Sequence, residues 1–491
     1  MWSHGTHLAD KNRVRNKLRE YKRMRRYLET ALVVLACLLG TACVGQKTNP
    51  PNNNANVAAL PTTTATVSPT PVSEKTPKTQ ALTLPVLDAF LANESFSGLL
   101  KTRLQLTDEQ ISKLKEAAHS ETATLSETNT GSVPGETATA RTTAKETITR
   151  LIGDEKAQQL EALIAEQWSR DGESSGDKTV TQTGSNDSNA PNKVPNDSRI
   201  VVNAPAYRMD VFDGGRLIKS YKIGIGYPQF PLPTGLRTAR AIIFNPTWTP
   251  PDEPWVAKMK NVSAGEKVEA GSKLNPLGPI KIPIGGPSLI HGGKSAAKLG
   301  TFASHGCVGL TTPQVQDFAK VLVQLGGGHL TDADITAYAR DKTVTKQVKL
   351  ANAIPVELRY ETIVVEDGKL HIYRDVYDQD TNTEENLKAV LEANGVRFED
   401  LTEDERAQIL NALAQMSGSS TAQTTPSPKG TPVNNKVASA SPSPSEKKSK
   451  TTPRAGKNQK EIVIEIAELK GKGYPAPVDL DTGMGQKKSR T

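Results

Sequence analysis

Aromatic residues are scarce, at 4% of the 491 residues, and apolar residues of every kind reach only 36%. A chain of this length could hold two or three domains, but so little apolar material cannot pack all of it, so much must be polar chain outside any core. Cysteine is nearly absent: Cys37, Cys43 and Cys307 are the three. The first two lie in or beside one apolar run, which leaves Cys307 without a partner and argues against a disulfide scaffold. No apolar run reaches the ~20 residues that a spanning helix needs. The net charge is +8, yet no aromatic-interleaved basic face or known nucleic-acid module follows the basic N-terminus, so nucleic acid is not an expected partner. Gly326-Gly327-Gly328 is a helix stop rather than a phosphate loop, because no Lys-Ser/Thr follows it. No cofactor or metal is expected.

What is present begins with an export signal. Residues 1–26 are basic, 31–39 form a short apolar run, and Gly40-Thr41-Ala42 leads into Cys43. A charged segment, a short apolar one and small residues together read as a secretory signal. Met24 would open a signal of ordinary length. Leu39-Gly40-Thr41-Ala42-Cys43 resembles a bacterial lipoprotein cleavage box, with Cys43 the lipid-bearing first mature residue, although Gly40 stands where Leu is usual. The other reading of 1–43 is an uncleaved anchor. Both put the rest of the chain outside the inner membrane, in the periplasmic or extracytoplasmic envelope, tethered to a membrane through lipid or anchor.

The remainder divides by composition and period. Residues 44–80, rich in Asn, Pro and Thr, read as a disordered tether. A helical region follows at 81–170: Thr107 with Gln110 makes a capping box, and 142–168 carries one helical stripe. After a polar linker at 171–197 the period becomes two, and 198–378 reads as one mainly β domain. Strands are expected near 200–202, 207–212, 217–225, 238–245, 280–284, 288–290, 346–350, 354–365 and 369–373. Thr312 is the expected N-cap of a helix with Pro313 at its first position. A helical extension at 379–416, a disordered linker at 417–460 and a short strand with a tail at 461–491 complete the chain. The apolar strand 462–466 could add to a sheet edge.

The chemistry concentrates at 290–310. Two of the seven histidines lie there with Cys307, His291 sixteen positions before the cysteine and Ser304-His305-Gly306 directly ahead of it. A thiol becomes a nucleophile at neutral pH when a base stands beside it, and a backbone free of side chains can cradle an oxyanion. Histidine, glycine and cysteine meet those needs in composition. Cys307 as a small buried core residue is the plainer reading, but flanking glycine and histidine do not suit an apolar core. His291, His305 and Cys307 as zinc ligands would lack paired ligand spacing. His329 and His371 read as an exposed loop residue and an outer-face strand residue.

The His-Gly of 291–292 followed by Ser304-His305-Gly306-Cys307 resembles the signature of the L,D-transpeptidase catalytic domain of the YkuD type. Leu232-Pro233-Thr234-Gly235 resembles its Thr-Pro-x-Gly turn, and Asn245-Pro246-Thr247-Trp248 and Asn275-Pro276-Leu277-Gly278 its substrate-side loops. The resemblance covers about 199–378. It implies a β-sandwich-like domain that remodels peptidoglycan: Cys307 as nucleophile toward tetrapeptide stems, His291 as general base and acid, and backbone N–H groups at His305, Gly306 and Cys307 as oxyanion hole. Ser304 and His305 would orient the pair. One departure stands out. The family usually carries Arg or Asn two residues after the cysteine, and this chain has Gly309, leaving Lys294 or Lys298 to supply positive charge. The expected function is cross-link formation with release of D-Ala. The alternatives are an L,D-carboxypeptidase or cross-link hydrolase with the same site, and a catalytically weakened wall-binding lipoprotein.

Overall fold

The computed structural model describes residues 82–125, 135–170, 191–417 and 459–483. The export signal, Cys37, Cys43 and the tether lie outside the described residues, as does most of each linker tract. Among the described residues no helix is long and apolar enough to cross a membrane.

Five helices come first: α1 Leu84–Leu91, α2 Glu94–Arg103, α3 Asp108–Thr124, α4 Glu136–Ile152 and α5 Asp154–Arg170. The Thr107–Gln110 capping box opens α3 as expected. The stripe read as one helix at 142–168 is instead shared by α4 and α5. Gly153, at φ 83°, breaks the helix there in a conformation only glycine adopts readily. Leu87, Leu100, Leu114, Ile148, Leu160 and Trp168 form a core of their own.

The β region follows as β1 Arg199–Asn203, β2 Arg208–Asp213, β3 Arg216–Lys222, β4 Ile225–Gly226 and β5 Gly235–Phe244, then the short helix α6 Pro254–Ala257. Next come β6 Ile280–Pro283, β7 Leu289–Lys294, β8 Phe302–Ser304, β9 Val308–Thr311, helices α7 Thr312–Leu325 and α8 Asp332–Arg340, and β10 Lys346–Arg359. Eight strands make one mixed sheet in the order β3-β2-β1-β10-β5-β6-β7-β9, while β4 and β8 pair separately. β1 runs parallel to β10 and β7 parallel to β9. The amphipathic face of α7 (Val315, Phe318, Ala319, Leu322) closes the main core against Ile282, Ile290, Val308 and Leu310.

A smaller sheet, β11 Ile363–Glu366, β12 Lys369–Tyr373 and β13 Glu461–Glu465, packs on α9 Glu384–Ala393 and α10 Glu403–Met416. The apolar strand near the C-terminus is thus the third strand of this sheet, with Ile464 against Leu370. Beyond it the chain returns to the large sheet. The Val478 carbonyl accepts from the Ser220 N–H, and the Lys222 N–H donates to Asp481.

Two further sequence expectations need correction. The strand read at 354–365 is two, because β10 runs unbroken through a bulge from 346 to 359 and the chain turns before β11. The α7 cap is Thr311, not Thr312: its hydroxyl accepts from the Gln314 N–H, and the Gln314 side chain returns the bond. Cys307 lies between two strands, β8 and β9.

Candidate active site

Ladder register brings His291 and Cys307 together. His291, inside β7 rather than at its end, is paired with Gly309 of β9. Partners in a ladder share a face and alternate residues return to it, so extending the register sets Cys307 opposite Leu289 on the His291 side. The other face belongs to the core: Ile290 and Val308 are fully buried, and a Cβ on Gly292 would stand 2.5 Å from Val315.

His291 is buried, with Nδ1 2.8 Å from the Gly292 carbonyl and the Leu277 backbone as a second partner, which together fix the ring. Burial, with help from the Lys294 charge, holds its pKa down at about 3. The imidazole is therefore neutral at physiological pH and able to take a proton. Burial pushes the Cys307 thiol up, and Glu253 adds to this; the Leu289 backbone and Lys294 pull it down. The resting sulfur is thus a thiol, its nearest acceptor the Pro287 carbonyl at 3.9 Å. Among the described residues no hydrogen bond joins it to His291. Catalytic hydrogen bonds in empty sites are often long and tighten on substrate binding.

Ser304 and His305 both stand beside the cysteine. The buried Ser304 hydroxyl donates to the Cys307 carbonyl at 2.6 Å and accepts from the Cys307 N–H at 3.0 Å. It closes the loop over Gly306, whose φ of 91° favours glycine. The Cys307 N–H is thereby engaged. His305 stacks on Trp255 (4.3 Å, 10°) with Phe230 edge-on at 4.8 Å, and burial followed by Lys294 lowers its pKa to about 4. It is a neutral member of an aromatic box.

Lys294 crosses the face toward β9. Its ammonium donates to the Ala303 carbonyl at 2.8 Å, and its stem passes where a side chain at 309 would begin. Its charge acts on His291, His305 and Cys307 together. Lys298 instead ends a 3-10 turn, Ala296–Lys298. The two loops expected to face substrate are tied to the scaffold. The Asn245 amide donates to the carbonyls of Tyr338 (2.8 Å), Asp341 (2.9 Å) and Val344 (3.2 Å), and the Asn275 amide to that of Pro246 at 2.7 Å. Asn245 holds the loop from a positive φ of 45°.

The family profile described as YkuD, L,D-transpeptidase catalytic domain, matches residues 197–344. These residues belong to the L,D-transpeptidase catalytic-domain family. Among solved structures, the transpeptidase domain is similar to an L,D-transpeptidase from Mycobacterium smegmatis, at 16% identity and a TM-score of 0.20 over 33% of this chain and 58% of that one. It is similar also to the catalytic domain of an E. faecium L,D-transpeptidase, at 15% identity and a TM-score of 0.22 over 34% of this chain and all of that one. A third, from Mycobacterium tuberculosis, shares 15% identity at a TM-score of 0.19 over 33% and 57% of the two chains. The match therefore spans little more than half of each mycobacterial chain. No curated protein matches this chain.

Two residues of the site went unread in the sequence. Glu253 is buried, accepts the Trp255 indole N–H at 2.6 Å, and is held up to about 7 by burial, with Asp88 of α1 adding to it. Trp255 joins Glu253 to His305 and stacks on Trp248 at 5.9 Å. Nothing in a Pro- and Trp-bearing loop announces a carboxyl paired with a helix 165 positions earlier in the chain. Among the described residues no group of three or more His, Cys, Asp or Glu side chains is placed to hold a metal ion.

Proposed function

We propose that the protein is an L,D-transpeptidase that cross-links peptidoglycan through a Cys307 acyl-enzyme. The observation that supports this most is a neutral buried imidazole and a thiol on one face of adjoining strands, within a domain of that family. His291 takes the thiol proton as sulfur attacks the carbonyl of the third residue of a tetrapeptide stem. The new C–S bond replaces the C–N bond to D-Ala. The departing nitrogen receives the proton from His291, so D-Ala leaves with a neutral amine beside its carboxylate, and a thioester remains. The N–H groups of His305 and Gly306 are the donors for the transient oxyanion. An amine of a second stem then attacks the thioester, gives a proton to His291, and leaves a 3→3 amide with the thiol restored. Water in place of that amine would yield the tripeptide.

The match to an L,D-transpeptidase catalytic domain supports peptidoglycan stems as substrate and work outside the cytoplasmic membrane. The basic and apolar N-terminus ending at Cys43 supports delivery there and a lipid or anchor tether. Incubation of the protein with disaccharide-tetrapeptide is the test. Cross-linked dimer with free D-Ala is expected. Tripeptide alone would make the protein a carboxypeptidase, and absence of both products would leave a wall-binding protein.

A further inference from the structure

Helices α1–α5 lie against the transpeptidase domain. The Thr83 hydroxyl donates to the Gln229 carbonyl at 2.6 Å. Trp168 of α5 covers Gly286, where a Cβ would come within 2.7 Å of its ring, next to the Pro287 carbonyl that faces the Cys307 sulfur. Lys258 donates to the carbonyls of Ala123 and Leu125 at the C-terminal end of α3, the end of a helix that favours a cation.

Between that helix end and the β domain lies a cavity of about 590 Å³. Trp255, Phe230 and His305 line one side, Thr122 and Leu125 of the helical region the other, and Lys260 and Lys273 stand on its wall. No carboxylate is among its described lining residues. The volume suits a small peptide, and aromatic walls with a few convergent charges are what ligand sites show. His305 belongs both to this lining and to the loop that carries Cys307.

We propose that this cavity is a subsite for an anionic stem peptide, in which Lys260 and Lys273 receive a free carboxylate and the N-terminal helices supply one wall. It rests on the transpeptidase reading and adds to it a preference for stems whose carboxylates are free over stems in which they are amidated.

The test uses the full chain carrying Cys307→Ala, so that nothing turns over, and titrates it calorimetrically with disaccharide-tetrapeptide in both forms. The free-carboxylate stem should bind about tenfold more tightly, as expected for charge-assisted hydrogen bonds at a partly open site. Adding Lys260→Ala and Lys273→Ala should bring the two affinities together without moving the melting temperature, since both lysines are exposed. Leu125→Asp, which sets an anion into the opposite wall, should weaken the free-carboxylate stem more than the amidated one. Full preference retained in the double-lysine variant overturns the subsite. Failure of both stems to bind, while unmutated Cys307 is acylated by a carbapenem, overturns the subsite and leaves the enzyme standing. Failure of binding and of acylation together removes both.

Discussion

The aliphatic stem of Lys294 lies across Gly309, so close that a Cβ at 309 would fall 2.8 Å from Lys294 Cγ. Position 309 is where the family usually carries Arg or Asn. Here a cation reaches the same ground from the neighbouring strand, and glycine is what admits it. Its field lowers the proton affinity of the thiol.

Lys294→Met should therefore raise the pKa of Cys307 and slow its acylation by a carbapenem at pH 7. Gly309→Ala should slow it too, because Lys294 must leave its place. Intact mass against time reads both. A Lys294→Met protein that reacts at the parent rate across the pH range would deny the lysine any part.

Cys307→Ala should abolish the adduct. His291→Ala should retain it and lower the acylation rate by about 10²- to 10⁴-fold, the range for losing a general base. An adduct that survives in Cys307→Ala would assign the chemistry to another residue.

The pH dependence should lack the usual histidine step. With His291 held down at about 3 by burial and Lys294, its neutral form is present throughout the working range. The thiol, pushed up by burial, deprotonates only in alkaline solution. Iodoacetamide labelling of Cys307 should climb steadily from pH 6 to 9. An inflection near 6.5 would mean an imidazole open to water.

Legibility differed by the range of the interaction. The cap of α3, the helix α7 and most strands are written in local patterns, and Cys307 with His291 in a short motif. The cap of α7 was misplaced by one residue because Thr311 and Thr312 are adjacent and only the Gln314 bond tells them apart. The family resemblance implies an orienting role for Ser304, and only the fold shows that its hydroxyl bonds to the Cys307 backbone. The pairing of Glu253 with Asp88, the stacking of Trp255 on His305 and the passage of Lys294 over Gly309 depend on how separate elements pack, and no spacing encodes them.

Glu253 gives a prediction on stability. Its carboxyl, ordinarily near 4.5, is raised to about 7 by burial, with the Asp88 charge adding. A raised carboxyl favours the folded state fully below its unfolded value, and that contribution is lost as pH rises through 7, on the order of 3 kcal/mol for a shift of this size. Asp88 is raised as well and acts in the same direction. Glu253→Gln keeps an oxygen for the Trp255 indole and removes the charge. It should melt a few degrees above the parent at pH 8 and narrow the difference between pH 5 and pH 8. Equal melting curves for the two proteins at pH 8 would show that water reaches the carboxyl.

Residues 459–483 hold a position that a reader of the N-terminal two thirds would not foresee. They occupy the open side of β12 and then that of β3, two borders about 150 residues apart in sequence. Removing this segment would bare two rows of backbone donors and acceptors at once and withdraw Ile464, Ile466 and Leu469 from the smaller core. Strand borders left that way recruit other chains. A shortened protein is thus destined for clumping before it loses its chemistry, and the tail is best regarded as the selvage that keeps this fabric from joining to its neighbours.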